Sequence, residues 1–326
     1  MEKLTTSPLY TVESIPGKGL GFVAARDIAK GTRIIAEKAL FRVPNMLVAL
    51  FGEQVVTNYI SGRLNLLSGD EQKAFLSLRH TSPVSSLLYT SIFRTNSLPL
   101  GPDSTEAGLF VKIARINHSC HANCQNTWNE TLSKETIHAV RRIPKGEEIT
   151  INYTSGGTFE TRRLHLKSQF GFDCTCELCS LPEVERIISD GRLNEIERLD
   201  KLISDAYRLL YSPHKCLEDA YTQLTLLEAE NITNTQVARL YFDAFQIVIC
   251  CGDLARAKVF AERAYDANLY TGGNDNPDTA QMKSLIANPA QHRLFGVSKI
   301  WKQSVKMIPR RLEGDKFEAW LWRRNK

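Results

Sequence analysis

The chain has 326 residues, of which 43% are hydrophobic and 24% charged, and its formal net charge is +5. This length predicts roughly two domains with their own cores, and the composition argues against wholesale disorder. The sequence has no apolar run of roughly eighteen residues that would predict a membrane span, no signal-peptide pattern at its start, and no dense stripe of cations and aromatics that would predict direct nucleic-acid binding.

The first part of the chain is predicted to be rich in short strands. Turn patterns at residues 16–19 and 30–32 separate strand-like runs at 10–15, 20–25 and 33–41. Apolar residues at three-to-five-residue spacing then predict a helical insert at about 45–90. Strands are predicted to return in four places, at residues 109–113, 125–129, 136–141 and 148–153.

From residue 183 the pattern is helical almost to the end. Apolar residues at helical spacing predict four helices, at 187–210, 216–230, 235–251 and 253–270. Residues 253–265 weakly resemble a tetratricopeptide unit, and a plain helical bundle without repeats is the alternative. Strands followed by helices predict an α+β protein.

The eight cysteines fall into two groups. A chain without a leader or membrane span is expected in the nucleus, the cytoplasm or both, where thiols are kept reduced. Cys174, Cys176 and Cys179 lie within six residues, and the alternative to a metal site there is three free or buried thiols. Structural zinc takes four ligands, so a fourth must come from elsewhere, and Cys120 and Cys124 are the candidates. The remaining three are predicted to be buried in helices: Cys216, Cys250 and Cys251.

Three further patterns suggest a ligand pocket. Residues 16–21, Pro-Gly-Lys-Gly-Leu-Gly, would let a ligand approach the backbone, although their spacing is not that of a dinucleotide fingerprint. Asn117 and His118 offer an amide and an imidazole, and the alternative there is a turn with a satisfied core histidine. Tyr153 ends the last predicted strand, where a purely structural tyrosine is the alternative.

In this order, three motifs resemble those of SET-domain lysine methyltransferases: Asn-His-Ser-Cys at 117–120, Gly-Glu-Glu-Ile-Thr-Ile-Asn-Tyr at 146–153 and Cys-Thr-Cys-Glu-Leu-Cys at 174–179. The resemblance covers residues 9–180, and the helical half that follows is most similar to the SET-and-MYND branch. Two departures stand out. The MYND finger is absent, since residues 41–60 contain no cysteine, and residues 121–123 lack the proline usual before Asn123.

The resemblance implies a domain organisation. A SET domain of short strands would cover residues 1–166, with its helical insert at about 45–90. A zinc-binding post-SET segment would follow at 167–182. An all-helical, tetratricopeptide-like domain would occupy 183–326, where it would form one wall of the substrate cleft or bind a peptide partner.

The resemblance also implies site residues. S-adenosylmethionine would be the methyl donor, and one structural zinc ion would be held by Cys120, Cys174, Cys176 and Cys179. Tyr153 would be the catalytic residue, and it would line the lysine channel with Phe170 and Phe172. The cofactor-binding residues would be Pro16, Gly17, Lys18, Gly19, Asn96, Asn117, His118, Tyr153 and Phe172.

The implied activity is S-adenosylmethionine-dependent N-methylation of a lysine on a histone or another protein. The methyl group would pass in line to a neutral amine in an aromatic channel that excludes water. Two alternatives stay open: a catalytically silent SET-fold scaffold, and an enzyme that methylates a small amine. Neither a membrane nor a nucleic acid is expected as a direct partner.

Overall fold

The computed structural model describes residues 8–81 and 87–324, and its contacts divide the chain into two compact units. The first unit comprises Met1–Ser155 and Phe159–Ser180, and the second comprises Gly156–Thr158 and Leu181–Lys326. The domain boundaries at 166/167 and 182/183 stay predictions. Parts of the predicted domains, at residues 1–7, 82–86 and 325–326, lie outside the described residues.

The described residues of the first unit form ten short strands. Turns with glycine or polar residues separate most of them, as the sequence predicts. They are β1 (Tyr10–Ile15), β2 (Gly19–Ala24), β3 (Arg33–Glu37), β4 (Arg42–Pro44), β5 (Ser97–Pro99), β6 (Glu106–Leu109), β7 (Asn117–His118), β8 (Cys124–Asn129), β9 (Lys134–Ala139) and β10 (Glu148–Ile151).

Three small sheets each combine strands that are neighbours in the sequence with strands that are far apart in it. Their strand orders are β1-β2-β10-β7, β3-β9-β8 and β4-β6-β5. β10 is central to the first sheet, since it pairs antiparallel with β2 and parallel with β7. The register places Thr150 beside Asn117 and Ile151 beside His118. Phe22, Ile149 and other apolar residues of these strands form a common buried core.

Five helices accompany the strands in the described part of the first unit. Their bounds are α1 (Asn45–Leu50), α2 (Glu53–Leu64), α3 (Gly69–Leu76), α4 (Leu88–Asn96) and α5 (Phe159–Phe170). α3 begins at a capping box in which Ser68 and Glu71 satisfy each other's backbone amides. α4 continues beyond residue 90, the predicted end of the insert. The first four helices pack around Ile60, Phe75 and Phe93.

The prediction of a strand at residues 109–113 is wrong. β6 ends at Leu109, and residues Ile113–Arg115 form a turn of 3-10 helix. The carboxylate of Glu37 accepts hydrogen bonds from the backbone amides of Lys112 and Ile113, at 2.9 to 3.1 Å. These amides therefore have a side-chain partner, so the segment needs no neighbouring strand.

The described residues of the second unit form seven α-helices. They are α6 (Glu183–Ile203), α7 (Ala206–Tyr211), α8 (Pro213–Ala229), α9 (Thr235–Cys250), α10 (Leu254–Gly272), α11 (Pro277–Ala287) and α12 (Gly314–Leu321). The single helix predicted at 187–210 is two helices. Asp205 interrupts it because its side chain accepts hydrogen bonds from the amides of Tyr207 and Arg208, which starts α7.

The core of the second unit lies around α9 and α10. Phe245, Val248 and Phe260 are fully buried there, and Trp322 closes the core just after α12. Strands in the first unit and helices in the second confirm the predicted α+β class. Among the described residues, no helix combines the length and apolar character needed to cross a bilayer.

Candidate active site

One cavity of about 530 Å³ in the first unit brings together residues from six separate parts of the chain. Every residue predicted to bind the cofactor or to line the lysine channel contributes to its wall. These residues are Pro16, Gly17, Lys18, Gly19, Asn96, Asn117, His118, Tyr153, Phe170 and Phe172. Sequence reasoning missed several others that line it: Ser77, Arg79, Thr95 and Arg115.

The glycine-rich loop is the tight turn between β1 and β2. Gly17 and Gly19 have φ angles of 74° and 81°, a left-handed conformation that side chains with a Cβ rarely adopt. The amide of Lys18 donates to the carbonyl of Ile15 at 3.0 Å, which closes the turn. Because these two glycines have no side chains, the backbone of the turn lines the cavity directly.

Glu148 connects two of the predicted cofactor-binding side chains. Its Oε1 accepts a hydrogen bond from Asn117 Nδ2 at 2.9 Å, and its Oε2 lies 2.6 Å from Lys18 Nζ. A Cβ on Gly21 would come within 2.7 Å of Asn117 Nδ2, so only glycine leaves room for this arrangement. β10 thus fixes the orientation of the Asn117 amide on the neighbouring β7.

Asn96 lies at the end of α4. Its Nδ2 donates to the carbonyls of Arg79 and Ile92, both at 2.7 Å. In Asn96 and Asn117 alike, Nδ2 is bonded within the protein, while Oδ1 accepts no hydrogen bond from the described residues. Both amides can therefore offer a carbonyl oxygen to a donor in the cavity.

The imidazole of His118 is buried and uses both nitrogens within the protein. Nδ1 accepts a hydrogen bond from the amide of Tyr153 at 3.0 Å, and Nε2 lies 3.3 Å from Cys120 Sγ. A neutral ring protonated on Nε2 satisfies both contacts. His118 therefore lines the cavity as predicted, but its ring nitrogens connect β10 to the cysteine cluster.

Tyr153 lies two residues after β10, beside His118. Its hydroxyl donates a hydrogen bond to the carbonyl of Ile116. Burial raises the pKa of Tyr153, so the hydroxyl stays protonated at neutral pH. Because the proton is directed to Ile116, the lone pairs of the hydroxyl oxygen remain as acceptors.

Aromatic rings lie close to Tyr153. The ring of Phe170 lies 4.8 Å from that of Tyr153, centroid to centroid, and 6.4 Å from that of Phe172. Phe172 in turn lies 6.0 Å from His118. Gly171, with a φ angle of 73°, ends α5 and changes the direction of the chain, so that Phe170 and Phe172 both line the cavity.

Four cysteines form a cluster beside this cavity. The sulfurs of Cys120, Cys174, Cys176 and Cys179 all lie within 4.8 Å of one another and could hold a metal ion. Zinc with four thiolates needs sulfurs about 3.8 Å apart, as its bonds are about 2.3 Å long. The sulfurs of Cys120 and Cys179 are 3.5 Å apart, close to that value. Cys124 lies outside the cluster, buried on β8.

The acid–base chemistry of the cluster also suits a cation. Hydrogen bonding with Cys174, Cys176 and Cys179 raises the pKa of the Cys120 thiol, while a hydrogen bond with Cys120 lowers the pKa of Cys174. Without a metal the four sulfurs must share protons, because four thiolates this close repel one another. A divalent cation lets all four bind as thiolates.

Arg162 is a buried residue beside the cluster that sequence reasoning missed. It lies on α5 with 3% of its surface exposed. Burial disfavours its charge, yet the sulfurs of Cys120 and Cys179 leave the pKa of the guanidinium above its usual value. Four thiolates and one zinc ion carry a net charge of about −2, which the Arg162 cation would partly neutralise.

Asn123 belongs to the segment that departs from the family pattern. Its Oδ1 accepts from the amide of Thr150 at 2.9 Å, and its Nδ2 donates to the carbonyl of Glu148 at 2.8 Å. The buried amide therefore binds β10 on the side away from β2. The missing proline leaves this contact in place.

Comparison with known proteins decides the family. Residues 19–154 match the SET domain. Histone-lysine N-methyltransferase set5 of Schizosaccharomyces pombe is 31% identical over 288 residues, which is 88% of this chain and 86% of that protein. The chain belongs to the SET-domain lysine methyltransferase family. Histone-lysine N-methyltransferase SMYD1 of Homo sapiens is 25% identical over 226 residues, which is 58% of this chain and 44% of that protein.

The SET-domain match includes some of the candidate residues and leaves others outside. Asn96, Asn117, His118, Cys120 and Tyr153 lie within it, whereas Pro16, Gly17, Lys18 and the three cysteines after residue 170 do not. A solved structure of the SET domain of LSMT bound to lysine and AdoHcy has a TM-score of 0.37 and 10% identity, over 87% of this chain and 88% of that one. The predicted resemblance to the SET family is confirmed.

Proposed function

We propose that this chain is an S-adenosylmethionine-dependent protein-lysine N-methyltransferase. The observation that carries the proposal is the single cavity in which the glycine loop, Asn117 and Tyr153 meet. Relatives along most of the chain are named histone-lysine N-methyltransferases, which supports a lysine of a histone or another protein as substrate. We further propose that the protein acts in the nucleus, the cytoplasm or both.

The cavity wall offers groups that fit the methyl donor. When bound, S-adenosylmethionine supplies a methyl group whose bond to the sulfonium sulfur breaks as a bond to the amine nitrogen forms; the methylated ammonium then loses a proton. The Oδ1 atoms of Asn96 and Asn117 would accept hydrogen bonds from its amino group. Residues 16–19 and His118 would contact it through the backbone, since the His118 ring nitrogens are already bonded.

Tyr153 would orient the reacting groups without acting as a base. Its raised pKa keeps the hydroxyl protonated, and that proton is held by the Ile116 carbonyl. The hydroxyl oxygen would therefore accept a hydrogen bond from the lysine amine or a weak one from the transferring methyl. Such alignment lowers the barrier because the two reacting atoms are already placed in line.

The aromatic wall would favour a neutral lysine. A free lysine has a pKa of about 10.4, so its deprotonation at pH 7 costs roughly 4–5 kcal/mol. Phe170, Phe172 and Tyr153 offer little solvation to an ammonium ion, which lowers the pKa of an entering lysine. Zinc held by the four cysteines would fix residues 171–179 and with them Phe172.

The test is methyl transfer from radiolabelled S-adenosylmethionine to purified histones and to a cell lysate, with Tyr153→Phe as the matched variant. We expect labelled protein with the wild type. We expect turnover with the Phe variant to fall by about a hundredfold or more, while its affinity for the cofactor stays within about twofold, because the hydroxyl acts on the reacting groups.

The same experiment separates the alternatives. Binding of S-adenosylmethionine without transfer to any protein or small amine would indicate a silent scaffold. Transfer to small amines alone would indicate the small-molecule enzyme. A Phe variant as active as the wild type would show that Tyr153 lacks the role assigned to it.

A further inference from the structure

The positive charge of this protein is concentrated in one segment of the second unit. Six of the 41 basic residues, and none of the 36 acidic residues, lie between residues 293 and 311, which we call the basic strap. Without the strap the chain would carry 35 basic and 36 acidic residues. The six cations are Arg293, Lys299, Lys302, Lys306, Arg310 and Arg311.

The strap is fixed to the helical core by its backbone. The amides of Gly296, Ser298 and Trp301 donate to carbonyls at the end of α9, at 2.8 to 3.1 Å. The amide of Gln303 continues the series to Gly252 at 3.1 Å. Trp301 is buried, with the guanidinium of Arg323 4.3 Å from its ring centroid. These contacts fix the backbone conformation of the strap, although the strap contains little helix.

Apart from Ser304, the side chains that the strap presents to solvent are cationic or apolar. All six cations are exposed, and none forms an ion pair with a carboxylate in residues 8–81 or 87–324. Between them lie exposed apolar side chains, with 42 to 61% of their surface accessible: Phe295, Val297, Ile300 and Met307. Exposed apolar side chains grouped among cations suit a surface that binds a partner.

The partial charge at the end of a helix can explain the position of only some of the strap cations. Cations near the end of a helix are favoured by the partial negative charge of its last carbonyls. That reason could apply to Lys299 and Lys302, which lie where the strap bonds to the end of α9. It does not apply to Lys306, Arg310 and Arg311, which lie beyond residue 303, the last to make such a bond.

A second feature lies at the start of the strap. A cavity of about 600 Å³ is lined there by Arg293 and by residues of α9 and α11. Three of its lining side chains are the amides of Gln246, Gln281 and Gln291. An amide can donate and accept at once, which matches the N–H and C=O groups of a peptide main chain.

We propose that the basic strap and this cavity bind an acidic peptide segment with interspersed apolar side chains. Acidic groups would pair with the strap cations, the apolar side chains would cover Val297 and Ile300, and the glutamine amides would bond the main chain. This proposal is independent of the methyltransferase function, because every residue in it belongs to the second unit.

Two other polyanions fit less well. Single-stranded nucleic acid is held by stacking on exposed aromatics, but Trp301 is buried and Phe295 is the one exposed aromatic of the strap. Proteins that lie on anionic membranes generally use a long amphipathic helix, and the only helix of the strap is the turn Val305–Met307. An acidic peptide uses both the charges and the aliphatic surface.

The test uses the full-length protein and three fluorescent probes. The first is a synthetic peptide of about twelve residues that alternates Glu or Asp with Leu or Phe; the others are a single-stranded DNA of about twenty nucleotides and phosphatidylserine vesicles. Lys299→Glu/Lys302→Glu/Lys306→Glu removes the strap charge. Arg198→Glu/Lys201→Glu/Lys215→Glu changes the net charge equally elsewhere in the second unit and serves as the control.

We expect the peptide to bind the wild type at micromolar concentration and physiological salt, and the strap variant about tenfold or more weakly. The control variant should differ from the wild type by less than about twofold. Ile300→Ser/Met307→Ser should weaken the binding of the peptide and leave any residual binding of DNA unchanged. Thermal unfolding of each variant checks that it is folded.

Three results would overturn the proposal. One is the absence of peptide binding to the wild type, whether or not DNA or vesicles bind. Another is an equal loss in the strap and control variants, which would mean that net charge alone attracts the peptide. The third is a peptide with Ser in place of Leu and Phe that binds as tightly as the original.

Discussion

Glu148 holds two cavity side chains with one carboxylate. It bonds Asn117 Nδ2 at 2.9 Å and pairs with Lys18 Nζ at 2.6 Å. The ion pair is partly exposed and is worth little by itself, at most about 1 kcal/mol. The hydrogen bond to Glu148 is the shorter of the two that orient the Asn117 amide, since the other, to the Leu20 carbonyl, is 3.4 Å long. Its loss should therefore affect ligand binding more than the loss of the ion pair.

We predict that Glu148→Ala weakens S-adenosylmethionine binding by about five- to thirtyfold, or roughly 1–2 kcal/mol. Glu148→Gln retains an oxygen that can accept from Asn117 and loses only the ion pair with Lys18. Its affinity should therefore stay within about threefold of the wild type. Calorimetric titration of the three proteins checks this, and equal losses in both variants would contradict a role through Asn117.

Glu135 is a buried carboxyl on β9 that should link stability to pH. Only 1% of its surface is exposed; among residues 8–81 and 87–324, Asn126 is its one side-chain partner at 3.2 Å, and its Oε2 has none. Burial raises the pKa of Glu135 to about 8. The folded protein thus keeps a proton that the unfolded chain releases near pH 4.5, so stability must fall as the pH rises from about 4.5 to 8.

We predict that Glu135→Gln removes this dependence, because glutamine resembles the protonated acid. The free energy of unfolding of the wild type should fall, relative to the Gln variant, by up to about 1.4 kcal/mol per pH unit between pH 6 and 8. Urea unfolding of both proteins at these two pH values measures the difference. Parallel curves would show that the Glu135 carboxyl is already ionised at pH 6.

Sequence motifs identified one residue of each contact in the site but not the residue that it contacts. Asn117, Cys120 and Tyr153 stand in recognisable patterns, so the sequence alone assigned them to one site. Glu148 lies in a motif too, but its spacing does not tell that its carboxylate reaches Asn117 on another strand. Arg162 has no sequence signal, since an arginine in a polar helix is ordinary and only the fold places it beside the sulfurs.

At the scale of elements, α5 and the cysteine segment after it act on each other through Arg162. The helix supplies a buried cation, and the segment supplies three of the four clustered sulfurs. A site that contributes folding energy through a metal should lose order when the metal is removed.

We predict that Arg162→Met increases the rate of zinc release to a chelator by about tenfold or more, because the thiolates lose a neighbouring cation. Arg163→Met is the matched control; that residue is exposed and pairs with Glu160 at 3.1 Å. Release can be followed with a coloured zinc indicator. A control variant that releases zinc as fast as Arg162→Met would rule out the specific role, and zinc-free wild type would rule out the site.

Element type was more predictable than element boundaries. The helices after residue 183 follow apolar spacing, which is a local property. The break between α6 and α7 depends on Asp205 capping two amides, and an aspartate in a helical pattern does not reveal this. The wrong strand at 109–113 has a similar cause, since the capping carboxylate of Glu37 lies more than seventy residues earlier.

At the scale of the whole molecule, the end of the chain completes the helical core. Trp322 is 1% exposed and packs against Phe260 and Tyr221, with ring centroids 4.8 and 5.5 Å apart. Arg323 pairs with the fully buried Asp253 at 3.1 Å. Arg323 therefore has a structural role, which its place in a basic cluster does not reveal.

We predict that Trp322→Ala lowers the free energy of unfolding by about 3–5 kcal/mol, as expected for a large side chain removed from a core. Trp320→Ala, two residues earlier and only half-buried, should cost clearly less. Thermal or urea unfolding monitored by circular dichroism compares the two. Equal losses would mean that Trp322 contributes no more to stability than the half-buried Trp320.

The position of β10 has a consequence for the synthesis of the protein. β1 and β2 can pair as a hairpin as soon as residue 24 leaves the ribosome, but the other side of β2 binds β10, which begins at Glu148. At 5–20 residues per second, the roughly 120 residues between them take about 6–25 seconds. For that time β2 has an open edge able to pair with other chains. We therefore expect the nascent chain to need a chaperone during this interval, when no ligand can protect it because its pocket is incomplete.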